Sequence, residues 1–143
     1  RSSIAGSLSR RTGLDEGTEL DETIVEVYYK RDDLGDPLLN DQHITKVLDI
    51  TGLDELDELR ELGLKVNDVL SDFFGERGID LVDFKLEFGR DADGNLVLGD
   101  EVTPDTCRLW DAETGDKLDK DRFRRDLGSV GEAYEEILER VGG

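Results

Sequence analysis

Cysteine and histidine each occur once in the 143 residues, proline twice and methionine not at all. The lone Cys107 excludes an internal disulfide and a cysteine-rich zinc site. The lone His43 reads as a loop or surface histidine. No apolar run approaches the roughly 20 residues needed to cross a bilayer. No signal-peptide pattern is present, so the cytoplasm is the expected compartment. Positive charge is scarce: 18 Lys and Arg stand against 37 Asp and Glu, a formal net charge of -19. Such a field repels phosphate backbones and anionic membrane surfaces, which removes nucleic acid and membranes as partners. Aromatic residues are few, and an acidic, aromatic-poor chain can be disordered. Here the charges are interleaved with periodic Leu, Val, Ile and Phe, so a folded domain, or one large piece of a domain, is expected.

The basic residues lean towards arginine, and together with the aspartate excess this suggests a salt-loving source, where screening makes a dense acidic surface tolerable. The chain begins at Arg1 without a methionine and runs almost at once into a motif-like segment, from which a missing N-terminal part is expected. Residues 1–22 read as a turn and a short helix or loop around Ile4 to Leu8. Residues 23–30, rich in β-branched and aromatic types, predict a strand. Residues 31–43, with Gly35, Pro37 and Asn40, predict a loop. The stretch 53–74 predicts the main helix: Leu53, Leu56, Leu59, Leu62, Val66, Val69, Leu70 and Phe73 recur at helical spacing and are expected in the core. Thr51 and Asp54 resemble a capping box, and Gly63 is a place for a kink. Residues 119–141 predict two short helices divided by Gly128.

The strongest local signal is a hairpin. From Leu81 to Phe88 the apolar Val82, Phe84, Leu86 and Phe88 alternate with Asp83, Lys85 and Glu87. Asp91-Ala92-Asp93-Gly94 supplies the turn, and residues 95–100 return. Pairing Arg90 with Asn95 would set Lys85 opposite Asp100 and gather Asp83, Glu87 and Asp100 on one face. A one-residue slip would send Asp100 to the apolar side. A patch of this kind suits Mg²⁺, which takes one or two carboxylates with waters and phosphate oxygens. On periodicity alone the plainer reading, a solvated strand face with a salt bridge, comes first. An EF-hand loop starting at Asp91 fails, because Val102 occupies its twelfth position. Beyond the hairpin, the fork of donors on Arg108 could clamp a phosphate or carboxylate. Trp110 reads as a packing anchor.

Taken in order, Ala5-Gly6-Ser7-Leu8, Glu16 to Leu20, Lys30 to Pro37, Asn67-Asp68-Val69-Leu70, Leu81 to Gly89, Leu98 to Glu101, Thr103-Pro104-Asp105, Arg108 to Asp111 and Asp119 to Arg124 resemble the SAICAR synthetase family over nearly the whole chain. The resemblance implies an α+β fold, an antiparallel sheet with flanking helices, related to ATP-grasp enzymes. Residues 1–143 would be a C-terminal lobe that binds substrate and metal, with the N-terminal nucleotide-binding lobe absent and the chain alone inactive. The implied reaction is an ATP-dependent ligation of L-aspartate to the carboxylate of carboxyaminoimidazole ribotide (CAIR), through an acyl phosphate, to give SAICAR, ADP and phosphate. By the same resemblance Glu87 and Asp100 would hold Mg²⁺ at the nucleotide phosphates. Arg1, Ser7 and Arg108 would hold the ribotide phosphate, and Asp83, Lys85 and Asp105 would line the reacting end. Lys120, Asp121 and Arg124 would lie at the substrate side. Ser2 and Ser3 stand where the family tends to carry an asparagine and an arginine, and Thr106 and Cys107 replace other small residues. The partners implied are ATP, CAIR and aspartate, and self-association into a homo-oligomer is compatible with the sequence. The alternative from another class is a non-catalytic acidic module adapted to cations or salt.

Overall fold

The computed structural model describes residues 1–124 and 128–142, and the side chains of all of these except Phe123 and Arg124. Contacts divide the chain into two compact units, one of Arg1–Thr23 with Asn67–Gly143, the other of Ile24–Val66. Helix α1 spans Ser7–Thr12 and α2 spans Leu53–Gly75; strands β1 to β4 cover Ile79–Phe84, Glu87–Arg90, Leu96–Gly99 and Cys107–Asp111. Helices α3, Asp121–Arg124, and α4, Val130–Gly142, follow. Among the described residues no helix is long and apolar enough to cross a membrane.

In the smaller unit the strand predicted over 23–30 does not form. Its centre is extended and bonds to the predicted loop instead: Tyr29 N–H donates to Pro37 O at 3.0 Å and Leu39 N–H to Val27 O at 3.0 Å, around a single bridge between Tyr28 and Leu38. Two bonds complete a hairpin too short for a ladder, because Asp32–Leu34 closes it as a 3₁₀ turn and His43–Val47 coils into a wide helical turn. Ile44 and Leu56 are buried here. An open groove of about 390 Å³ lies between Val25, Val27, Leu38, His43 and Arg60.

Helix α2 runs unbroken through Gly63. Thr51 Oγ1 bonds at 2.7 Å to Glu55 rather than to Asp54. The predicted apolar stripe is only partly core: Leu56 is 2% exposed, whereas Leu53 is 56% and Val69 68% exposed. Each step of three residues falls about 60° short of a full turn, so the run from Leu53 to Leu62 winds roughly halfway around the helix. Phe73, also exposed, is capped by the Arg77 guanidinium 3.9 Å from its ring centre.

The larger unit holds two separate two-stranded antiparallel sheets, β1 with β4 and β2 with β3. The predicted continuous strand from Leu81 to Phe88 is therefore two strands with different partners. Ile79, Leu81, Cys107 and Leu109 from the first sheet meet Phe74 of α2, Leu118, and Ala133 and Ile137 of α4 in one core. Cys107 packs there as a small hydrophobe, and burial pushes its thiol up to about 11. On α4 Ala133 and Ile137 face inward, but the predicted Leu138 is 68% exposed. Leu127 lies outside the described residues. Gly128, which lies between α3 and α4, has a left-handed φ of 69°.

Candidate functional site

A β-bulge creates the site. Along β1 and β4, Leu81 pairs with Leu109 and Asp83 with Arg108, leaving Val82 as an extra residue in β1. Without that insertion Val82 would face Arg108; with it, parity flips and Asp83 arrives beside the guanidinium. The bulge is held from outside, for Ser2 N–H donates to the Val82 carbonyl at 2.9 Å. Residues Ser2 to Ile4 are in turn bonded to Gly17, Thr18 and Leu20. That short ribbon brings Arg1 onto the same spot.

Two guanidiniums converge on one oxygen. Asp83 Oδ2 accepts from Arg1 Nη1 at 2.6 Å and from Arg108 Nη1 at 2.7 Å. Arg108 Nε donates to Asp121 Oδ2 at 2.6 Å. Asp83 and Asp121 are 6% and 2% exposed. Burial alone lowers the pKa of Arg108, but the charge of Asp83 and the hydrogen bond and charge of Asp121 outweigh it, so the net shift is upward. The guanidinium is a permanent cation. Gly6 stands against it with φ 57°, and a Cβ there would lie 2.4 Å from Arg108 Nη2. Only glycine fits that approach. Ser7 opens α1 immediately after it.

Behind this cluster lies Asp119, wholly buried. Its Oδ2 accepts the Leu109 N–H at 2.7 Å and its Oδ1 the Asp121 N–H at 2.7 Å. Burial pushes its carboxyl up, against the pull of those two N–H donors. The sequence pattern places Asp119 at the start of the first of two short helices. An aspartate bonding the N–H two residues on is a local turn device legible in sequence, but its burial depends on β4 passing overhead.

The hairpin carboxylates lie apart from this network and nearer solvent. The expected register is off by one: Arg90 pairs with Leu96 and Glu87 with Gly99. The turn explains this. Gly94 N–H closes a bond to Asp91 O at 3.0 Å and Gly94 has φ 83°, giving a three-residue loop where four were expected. Asp91 holds the loop by accepting the N–H groups of Asp93 and Asn95, at 2.9 and 2.8 Å. Asp100 therefore does not stand opposite Lys85, and since Gly99 is the partner of Glu87, the expected gathering of Glu87 and Asp100 on one strand face does not form. It follows β3 in a left-handed conformation, φ 72°, with Oδ1 accepting the Glu101 N–H at 2.9 Å. Lys85 Nζ lies 2.9 Å from Glu87 Oε1. Asp105 is exposed and accepts the Tyr134 hydroxyl at 2.8 Å. Lys120 is half-buried, its N–H bonded to Pro104 O at 3.1 Å. The side chain of Arg124 lies outside the described residues. Trp110 is a packing anchor, its ring covered by Lys117 Nζ at 4.3 Å.

The structure thus joins Arg1, Asp83, Arg108 and Asp121 in one network beside Gly6. Lys85 and Glu87 form a separate pair, and no group of three or more metal-ligating side chains occurs among the described residues. The chain matches the family model of SAICAR synthetase over residues 1–141. The chain belongs to the SAICAR synthetase family. The phosphoribosylaminoimidazole-succinocarboxamide synthase of Nautilia profundicola is 60% identical over 141 residues, which are 99% of this chain and 60% of that protein. A SAICAR synthetase solved in complex with ADP superposes with a TM-score of 0.92 at 56% identity, over 99% of this chain and 60% of that one. The SAICAR synthetase of Pyrococcus horikoshii gives 0.91 at 55% identity, over 100% and 62%. The α+β fold is that of these SAICAR synthetases, and the chain spans about 60% of the length of the relatives it matches.

Proposed function

We propose that residues 1–143 are the substrate- and metal-binding lobe of an ATP-dependent ligase that joins L-aspartate to the carboxylate of CAIR. The observation that carries this reading is the pair of guanidiniums from Arg1 and Arg108 meeting at Asp83 beside Gly6 and Ser7. A sugar phosphate is a dianion, and two such forks with a hydroxyl match its oxygens. Family membership supplies the reaction class. In the reaction, an oxygen of the CAIR carboxylate attacks the terminal phosphorus of ATP and ADP leaves. The neutral aspartate amine then attacks the acyl carbon, phosphate departs, and the amine gives up a proton to form SAICAR. Chemistry of this kind asks the protein for positioning and charge neutralisation.

In this reading Arg1, Ser7 and Arg108 hold the ribotide phosphate. Asp83, Lys85 and Asp105 line the reacting end, with Lys120, Asp121 and Arg124 at the substrate side. Glu87 and Asp100 are the residues to hold Mg²⁺, a hard cation that takes one or two carboxylates plus phosphate oxygens. Carboxylate oxygens are the donor type that ion takes, and Asp100 reaches the site from a left-handed turn after β3 rather than from the strand face of Glu87. Bound there, the ion would neutralise charge on the nucleotide phosphates. The relatives' additional length accords with a nucleotide-binding lobe outside the matched region. The net charge of -19 supports a surface adapted to salt.

The reading is tested by melting the chain, alone and mixed with the N-terminal part of a relative, against Mg²⁺·ADP and against the ribotide. Each should raise the melting temperature, the first effect being lost on Glu87→Gln and the second on Arg108→Lys. A response to divalent cations alone would assign the chain to the non-catalytic acidic module instead.

A further inference from the structure

Asp119 has no part in the roles proposed above, yet it is the most deeply buried carboxylate in the described part of the chain, at 0% exposure. Its two oxygens serve different elements. One takes the N–H of Leu109, the residue after Arg108 on β4; the other takes the N–H of Asp121, whose own carboxylate grips Arg108 Nε. A single side chain therefore pins the backbone at both ends of the Arg108–Asp121 ion pair. The fold has other links in the same place, since Leu118 N–H donates to Leu109 O at 2.8 Å and Lys120 N–H to Pro104 O at 3.1 Å. Taking a carboxylate out of water is costly, and an apolar or amide side chain could fill the same volume more cheaply. What those side chains lack is two acceptor oxygens aimed at two N–H donors.

We propose that Asp119 is a positioning residue: its bidentate grip on the Leu109 and Asp121 N–H groups sets the Arg108 guanidinium in the orientation that receives a phosphate monoester. The inference rests on the reading that Arg108 holds the ribotide phosphate. Arg108 is bonded to Asp121 through Nε and to Asp83 through Nη1, its Nη2 edge lies against Gly6, and its side chain keeps 21% exposure. If Asp121 shifted with its loop, the guanidinium would turn with it, and its free Nη2 edge would leave the place where the phosphate oxygens arrive.

The test is calorimetric titration of the full 143-residue chain with ribose 5-phosphate. Asp119→Asn keeps the volume but turns one acceptor into a donor facing an N–H. It should weaken binding on the order of tenfold, the loss typical of a supporting rather than a contacting group. Asp121→Asn should weaken binding comparably. The double variant should be no weaker than the poorer single one, because both act through one chain onto Arg108. Losses that multiply would overturn the proposal, since a general loosening of the fold adds independently of Asp121. Unchanged affinity in Asp119→Asn while Arg108→Lys loses it would overturn the proposal and leave the phosphate site standing. Unchanged affinity in Arg108→Lys would overturn the phosphate reading itself. Should Asp119→Asn not fold, nitrogen NMR of the unaltered chain decides: slow solvent exchange of the Arg108 Nε–H supports the clamp, and exchange as fast as that of exposed Arg10 overturns it.

Discussion

The β1–β4 sheet and the β2–β3 hairpin carry the same kinds of side chain and treat them in opposite ways. Around Arg108 the carboxylates are buried, the ion pairs join distant parts of the chain, and a bulge sets the register. Around Glu87 the charges are nearer solvent, Lys85 exposed and Glu87 partly so, the ion pair is between residues two apart, and the register follows from a three-residue turn. The contrast teaches that a charged pattern becomes a shaped site only where the fold withdraws water from it. In water an ion pair is weak and mobile; in a low-dielectric surround its geometry is enforced.

The largest effect that would sharpen the contrast is loss of Arg108. Arg108→Ala leaves Asp83 and Asp121 buried with one cation between them, and should cost about 3–5 kcal/mol, the range for orphaning buried charges. Chemical denaturation measures it; a loss under 1 kcal/mol would mean the cluster is hydrated. Second is Asp119, where removing one of two acceptors should cost about 1–3 kcal/mol. It also carries a pH signature. Its folded pKa is raised, so as pH rises past the ordinary aspartate value the unfolded chain releases this proton first. Stability then falls through the window between the ordinary and the raised pKa, which Asp119→Asn should abolish in denaturation curves recorded across that window.

Third, Gly6→Ala must adopt a left-handed backbone and displace Arg108, which should cost about 1–2 kcal/mol from the backbone alone and also weaken ribose 5-phosphate binding. A change in binding with none in stability would place the strain entirely on the guanidinium. The smallest effect belongs to the hairpin: Lys85→Ala removes an exposed pair and should shift stability by no more than about 0.5 kcal/mol, while its effect on ligation in a complete enzyme should be far larger. Equal losses at Lys85 and Arg108 would erase the distinction between the two regions.

Much of this was legible in residue order. Helix α2, the Asp91–Gly94 turn and the left-handed Gly128 depend on periodicity and on residues with special backbone freedom, which are local properties. The family resemblance brought Arg1, Asp83, Arg108 and Asp121 into one site without revealing that they touch. Where the reading of the hairpin slipped, the cause was a single residue in a loop: a glycine in the left-handed region after a type I turn shortens the loop from four to three and moves every cross-strand partner by one. The apolar stripe misled because spacing by three alone precesses around a helix.

Local sequence was enough to specify the helix, the tight turn and an acidic surface, since each arises from interactions among residues a few positions apart. Chain order could not specify that β1 leaves its neighbour β2 to pair with β4, that Val82 bulges, or that Asp119 is sealed from water. Those outcomes depend on contacts between residues tens of positions apart, which exist only once the core of Ile79, Leu81, Leu109 and Ile137 has closed and excluded the solvent that would otherwise satisfy the same charges.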